Sequence, residues 1–398
     1  MIMHFTELAL ISMMAVLPCV ALSDFVREDP SLYWNFAELS QKPAFRTSPY
    51  AESDYAGMKA LLVKGRGPKD TSAEFFCYYG VPDGKKPTAG WPGVVLVHGG
   101  GGTAFPNAVA EWQKLGFAVI APDWYNRRPA PALTNVPPSE VTVPRVDLDG
   151  GKRQDHVANV ANMVLAHSLL RSFPEVDGNR TVFVGLSWGS WYGACVAAVD
   201  PRFRGCVEIY CGDRNARDPK TPMGFVNGRF LHAAKAPMWW AVSTNDRNVT
   251  PDSSNAGFEE CARFDGCALV NDLPHSHIGF SFGSVHRMAR YYVGLERSRL
   301  PKLGDAVVRD GVISAPILDV GAGIGFARLS YTTSDEQPTY KRKWISADAA
   351  VENGCVKARL PADTVQCYLA AYERDSRFHD LCGTTKFVTP NGKGQKND

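Results

Sequence analysis

A serine between glycines, Gly185-Leu186-Ser187-Trp188-Gly189, follows directly on the β-forming run Thr181 to Val184. A serine hydroxyl attacks an acyl carbon only when a base removes its proton. The base is usually a histidine, held in one tautomer by a carboxylate. A strand–serine–helix turn lifts the hydroxyl above a sheet. Glycines on both sides then avoid the Cβ that would collide with a neighbouring strand or helix. The same spacing also suits an ordinary tight turn, so the remaining groups that acyl transfer requires must decide.

In open α/β sheets the order along the chain is serine, acid, histidine, and the groups gather at strand ends. The stretch "WWAVSTNDRNVTP" leaves an apolar run for polar residues and puts Asp246 just beyond it. Asp252 is the second candidate acid, and an Asx turn or helix cap is the competing role for Asp246. The next apolar run ends in "LVNDLPHSHIGF", with His275 and His277 on one short loop. His277, three residues after Pro274 and close to Gly279, is the expected base because the loop has room there to bend back over Ser187. His275 is the alternative base, otherwise bound to the backbone or set behind the first. An exposed pair or a chance metal site is the plain reading of both.

The tetrahedral intermediate of acyl transfer needs backbone N–H donors already aimed at its oxygen. One is expected from Trp188, the residue after the nucleophile; the other from "VHGGGGTAF", at Gly100 or Gly101. No Gly-Lys-Ser/Thr follows those glycines, which excludes a phosphate loop. His98 precedes Ser187 in the chain, the wrong order for the base, and is expected to shape the loop.

These groups need a sheet. Uniformly apolar runs at Val94 to Val97, Phe117 to Trp124, Thr181 to Val184, Gly205 to Gly212, Pro237 to Ser243 and Cys267 to Leu273 alternate with helical patterns. That predicts a mostly parallel sheet with helices on both faces. Val157, Val160, Ala161, Val164, Leu165 and Leu169 predict a helix over 155–173. "KALLVKG" and "AEFFCYYGVP" read as a preceding hairpin. From about residue 304 to 390 short, partly alternating runs predict a small β-sandwich, and 391–398 a disordered tail. "LDVGAGIGF" has cofactor-loop spacing, but the β pattern on either side makes it a glycine turn between strands.

Length, at 398 residues, allows one large domain over 24–303, with an N-terminal extension, and a smaller one after it. A net charge of +2 offers no electrostatic footprint for nucleic acid; the basic cluster Lys341-Arg342-Lys343 reads as a solvated turn. "LALISMMAVLPCVALS" is an uncharged apolar run, too short for a comfortable membrane span. It ends in Ala21-Leu22-Ser23 and reads as a secretory signal over 1–23, although no Lys or Arg precedes it. Localisation is then secreted or periplasmic, with no stable membrane span after cleavage. Ten cysteines suit an oxidising compartment, and Cys261 and Cys267 are near enough in sequence to bridge a loop. No metal-ligand spacing occurs, and no cofactor is expected.

Taken together, "VHGGGGTAF", "PEVDGNRTVFVGLSWGS", "STNDRNVTPDS" and "LPHSHIGF" resemble the acetyl xylan esterase and dienelactone-hydrolase-like branch of the α/β-hydrolases, which borders the prolyl oligopeptidase catalytic domains. The resemblance spans roughly residues 70–300. It implies an α/β-hydrolase fold, Ser187 as nucleophile, Asp246 as acid and a histidine from the 275–277 pair. It further implies an exported serine carboxylesterase acting on short, acetyl-type acyl groups of a small molecule or polysaccharide. Ser190 stands where the branch often has a second glycine. Trp124, Tyr125, Trp188, Trp191 and Tyr192 are aromatic faces that could stack on sugar rings, whereas Trp239 and Trp240 read as core. A serine peptidase of the prolyl oligopeptidase type and a non-catalytic glycan-binding relative are the rival readings; too little chain precedes the sheet for a propeller.

Overall fold

The computed structural model describes residues 27–48, 57–67, 71–124, 153–212, 228–374, 376 and 380–390. The apolar run to Ser23, Cys19, Tyr125 and the tail from 391 lie outside these.

The first strands form antiparallel ribbons. β1 (Phe45–Thr47) pairs with β2 (Met58–Arg66), and β2 with β3 (Ser72–Gly80), Met58 opposite Gly80. β3 then joins β5 (Ala118–Pro122) antiparallel, and from there the sheet is parallel. β5 pairs with β4 (Trp91–Val97), β4 with β6 (Val176–Leu186), and β6 with β7 (Gly205–Ile209). β7 pairs with β8 (Met238–Ser243) and β8 with β9 (Phe264–Val270). Helices lie between β4 and β5, β5 and β6, β6 and β7, and β8 and β9. α1 is the short Phe36–Leu39, and α2 (Pro106–Lys114) ends before Gly116, whose φ of 96° favours glycine. α3 (Arg153–Ser172), α4 (Trp188–Val199), α5 (Pro251–Glu260) and α6 (Gly283–Tyr292) follow. Central strands are buried on both sides: Val94, Val95, Val182, Phe183, Val184 and Val207 have no solvent exposure. That two-sided burial is why these runs are uniformly apolar.

After α6 the described strands are all antiparallel. β10 (Lys302–Leu303), β11 (Val307–Arg309), β12 (Val312–Asp319) and β15 (Cys355–Arg359) make one layer. β13 (Ile324–Thr332), β16 (Gln366–Glu373) and β17 (Cys382–Thr384) make the other. β14 (Ile345–Glu352) passes between them, pairing first with β13 and then with β15. Ile313, Ala315, Leu329, Val356 and Leu369 fill the space between the layers. "LDVGAGIGF" is the β12–β13 turn, with Gly321 and Gly323 at positive φ.

The two parts share hydrogen bonds as well as a chain. β17 pairs antiparallel with β9, Thr384 opposite Cys267, so the second layer continues the edge of the main sheet. All described cysteines are free. Cys261 packs on the Met238 sulfur at 3.6 Å, and Cys267 lies against Thr384. The bridge that their spacing allows is therefore not formed. Among the described residues no helix is long and apolar enough to cross a membrane.

Candidate active site

β6 ends at Leu186 and α4 begins at Trp188, leaving a single residue for the turn. Ser187 makes it at φ 54° and ψ −115°, a conformation that costs a non-glycine residue about 1–3 kcal/mol. The flanking glycines follow from contact distances. A Cβ on Gly185 would sit 2.5 Å from the Gly189 carbonyl oxygen; one on Gly189 would sit 2.2 Å from that of Val97. Ser190 fits where a second glycine was expected, because its hydroxyl turns back to donate to the Ser187 carbonyl at 2.6 Å.

The candidate acid lies on the loop after β8. Asp246 is buried, and its Oδ1 accepts from the backbone N–H groups of Asn248 at 2.7 Å and Val249 at 3.1 Å. This is the Asx turn that competed with the acid role, and it leaves Oδ2 free for the histidine. Asp252 lies instead in the first turn of α5.

The histidine beside Ser187 is His275, not the expected His277. His275 Nδ1 lies 2.5 Å from Asp246 Oδ2, and its Nε2 lies 2.9 Å from Ser187 Oγ. With Asp246 ionised, Nδ1 carries the proton and donates it, and Nε2 accepts from the serine hydroxyl. Tyr210 explains the choice. It follows β7 at φ 57°, stacks on the His275 ring at 4.5 Å and donates its hydroxyl to the Pro274 carbonyl at 2.6 Å. Those contacts pin the loop one residue before His275. His277 opens the short helix His277–Ser281 and points elsewhere. Nothing in the sequence near Tyr210 singled it out.

His277 instead serves the glycine loop. Its Nε2 accepts the Gly99 N–H at 3.1 Å, and Phe105 packs edge-on against its ring at 4.7 Å. A Cβ on Gly102 would meet His277 Nε2 at 2.7 Å, so the loop needs glycine there. His98 shapes the same loop from the other side, as its chain order implied. Its Nδ1 is 2.8 Å from the Gly99 carbonyl, its Nε2 is 3.2 Å from Asp123 Oδ1, and its ring stacks on Trp124. Thr103 also donates to Asp123, and Trp124 Nε1 donates to the His98 carbonyl. Gly99 therefore spends its N–H on His277. Of the expected donors, Gly100 and Gly101 come next in the loop. Trp188, at the first position of α4, has an N–H that no carbonyl of its own helix can reach.

The aromatics near the elbow are packed rather than displayed. Trp188 stacks on His156 at 5.6 Å and meets Trp191 edge-on at 4.9 Å; Trp124 meets Tyr192 at 4.9 Å. All four are buried, so they are not an open platform for sugar rings. Trp239 and Trp240 are core residues of β8, as expected.

Burial pushes the His277 and His156 imidazoles down from 6.5 to about 4. In the unfolded chain each takes up a proton near pH 6.5; in the native protein each does so only near pH 4. Between those values the unfolded state holds more protons, so stability falls as the pH falls. Each ring contributes a loss on the order of 3 kcal/mol across that window. Urea unfolding at pH 7.5 and pH 4.5 should show the midpoint drop, and His156→Phe should reduce the drop.

Residues 78–260 match the profile of the Dienelactone hydrolase family. No curated protein matches the chain significantly. Among solved structures, an acetyl xylan esterase from Paenibacillus sp. R4 is 16% identical, with a TM-score of 0.53 over 67% of this chain and 96% of that one. Acetyl xylan esterase 1 from Thermoanaerobacterium sp. JW/SL YS485 is also 16% identical, with a TM-score of 0.44 over 65% and 92%.

Proposed function

We propose that this chain, which matches the Dienelactone hydrolase family over residues 78–260 and shares its fold with an acetyl xylan esterase, is an exported serine carboxylesterase cleaving short, acetyl-type acyl esters, with Ser187, His275 and Asp246 as its triad. The observation that carries the reading is the unbroken relay from Ser187 Oγ through His275 to Asp246, set on a strained turn.

The steps follow from that relay. His275 Nε2 takes the hydroxyl proton as Ser187 Oγ bonds to the ester carbonyl carbon. Asp246 holds the resulting imidazolium in place. The oxygen of the tetrahedral intermediate turns negative and is met by the N–H of Trp188 and one from Gly100 or Gly101. Losing one such donor typically costs about 3 kcal/mol. The intermediate expels the alcohol, which receives the proton from His275, leaving an acyl-serine. Water then gives a proton to His275 as its oxygen bonds to the acyl carbon, and the bond from that carbon to Ser187 Oγ breaks as His275 returns the proton to the serine, releasing the acid.

The ester class is supported by the Dienelactone hydrolase match. The acetylated polysaccharide as natural substrate is supported by the sequence resemblance and by the fold shared with an acetyl xylan esterase. Export is supported by the uncharged run ending at Ser23. One experiment reads both claims. Protein recovered from outside the producing cell is treated with a fluorophosphonate and analysed by mass spectrometry, beside p-nitrophenyl acetate turnover. The expected result is a chain beginning at Asp24, labelled on Ser187, whose turnover disappears with the label. A folded protein that neither labels nor turns over would sink the esterase reading, and protein found only inside the cytoplasm with its N-terminus intact would sink export.

A further inference from the structure

Both loops that carry the relay leave the sheet through an asparagine, and both asparagines are held by the C-terminal β layers. Asn245 lies between the end of β8 and Asp246. Its Nδ2 donates to the carbonyls of Tyr340 at 3.1 Å and Arg342 at 3.0 Å, using both amide protons. Its Oδ1 accepts from Thr244 Oγ1 at 2.6 Å, which fixes the amide's direction. The receiving segment is itself anchored. Arg342, buried within the basic cluster that its sequence presented as a solvated turn, donates to the Glu336 carbonyl and to Gln366 Oε1 of β16, each at 3.2 Å.

Asn271 plays the same part on the other side. It follows β9 directly and opens the loop to His275. Its Oδ1 accepts the Tyr368 hydroxyl of β16 at 2.8 Å. Its Nδ2 reaches Ser330 Oγ of β13 at 3.4 Å and Ser346 Oγ of β14 at 3.3 Å. Trp344 packs against Tyr368 at 5.6 Å, tying the two clamps into one surface.

We propose that the C-terminal β layers position the relay, with Asn245 and Asn271 as positioning residues that fix the acid's loop and the base's loop on one frame. The physical need is plain. Asp246 and His275 sit on separate loops after neighbouring strands, and a hydrogen bond of 2.5 Å between them tolerates little independent movement. Displacement of a reacting group by about 1 Å can cost on the order of 100-fold in rate. The role rests on the relay assigned above.

The test compares Asn245→Ala, Asn271→Ala and the double variant with Arg328→Ala. The last removes an ion pair to Asp348 within the β layers without touching either loop. Kinetics on p-nitrophenyl acetate are read beside the far-downfield proton resonance of the His275–Asp246 hydrogen bond and the melting temperature. Each asparagine variant is expected to lose about 10- to 100-fold in kcat with KM within about twofold, and to weaken or shift the resonance. Arg328→Ala should do neither. Asparagine variants that keep both wild-type kcat and the wild-type resonance overturn the proposal. So does a fall in kcat matched by a fall in melting temperature with the resonance unchanged, because that is loss of fold. If the parent turns over no ester, the esterase reading fails, while the resonance still reports whether the clamps hold His275 against Asp246.

Discussion

Replacing His275 by alanine is expected to lower kcat by about 10⁴-fold or more, while His277→Ala lowers it by only about 10- to 100-fold. The first loss follows from the proposed relay, in which His275 takes the serine proton and the members of the triad act as a unit. Ser187→Ala and the double variant Ser187→Ala/His275→Ala should each fall to about the same residual rate as His275→Ala. The second loss is indirect. Without His277, Gly99 loses the acceptor for its N–H, and the loop carrying Gly100 and Gly101 is less well held. His277→Gln, which retains an acceptor, should recover part of that loss. Steady-state kinetics with p-nitrophenyl acetate read all of these variants. A His277→Ala enzyme as inactive as His275→Ala would mean that the base has been misassigned.

Gly189→Ala is expected to cost at least about 3 kcal/mol of stability, at the upper end for overpacking a core. The added methyl would lie 2.2 Å from the Val97 carbonyl oxygen and 2.7 Å from that of His98. These are backbone atoms at the end of a buried central strand, so neither can rotate away as a side chain would. Relief requires α4 to move off β4, and that displaces Ser187 from His275. Gly178→Ala is the matched control, because its nearest neighbour would be 3.4 Å away; it should stay within about 1 kcal/mol of the parent. Urea denaturation measures both. A Gly189→Ala protein with parental stability and activity would show that the turn around Ser187 is not under this constraint.

The sequence by itself determined whatever local chemistry dictates. An apolar run, a glycine, a serine and a glycine can only be a strand, a tight turn and a helix packed close behind, and Gly185 and Gly189 prove to be needed at contact distance. The uniform burial of the central strands was legible for the same reason, since residues buried on two faces have no alternation to show. Asp246 was placed by its position just beyond an apolar run. The choice between His275 and His277 was not legible. The two share one loop, and what separates them is Tyr210, which follows β7, donates to the Pro274 carbonyl and stacks on His275. Only tertiary structure decided that His277 would turn to Gly99, that Trp188 and Tyr192 would be packed around His156 instead of displayed, and that Arg342 would be buried. It also decided that the late β strands, which read as a separate appendage, would extend the main sheet through β17 and hold Asn245 and Asn271. Each of these depends on contacts between residues far apart in the chain, and no local pattern of residue types encodes which distant side chain will fill the space.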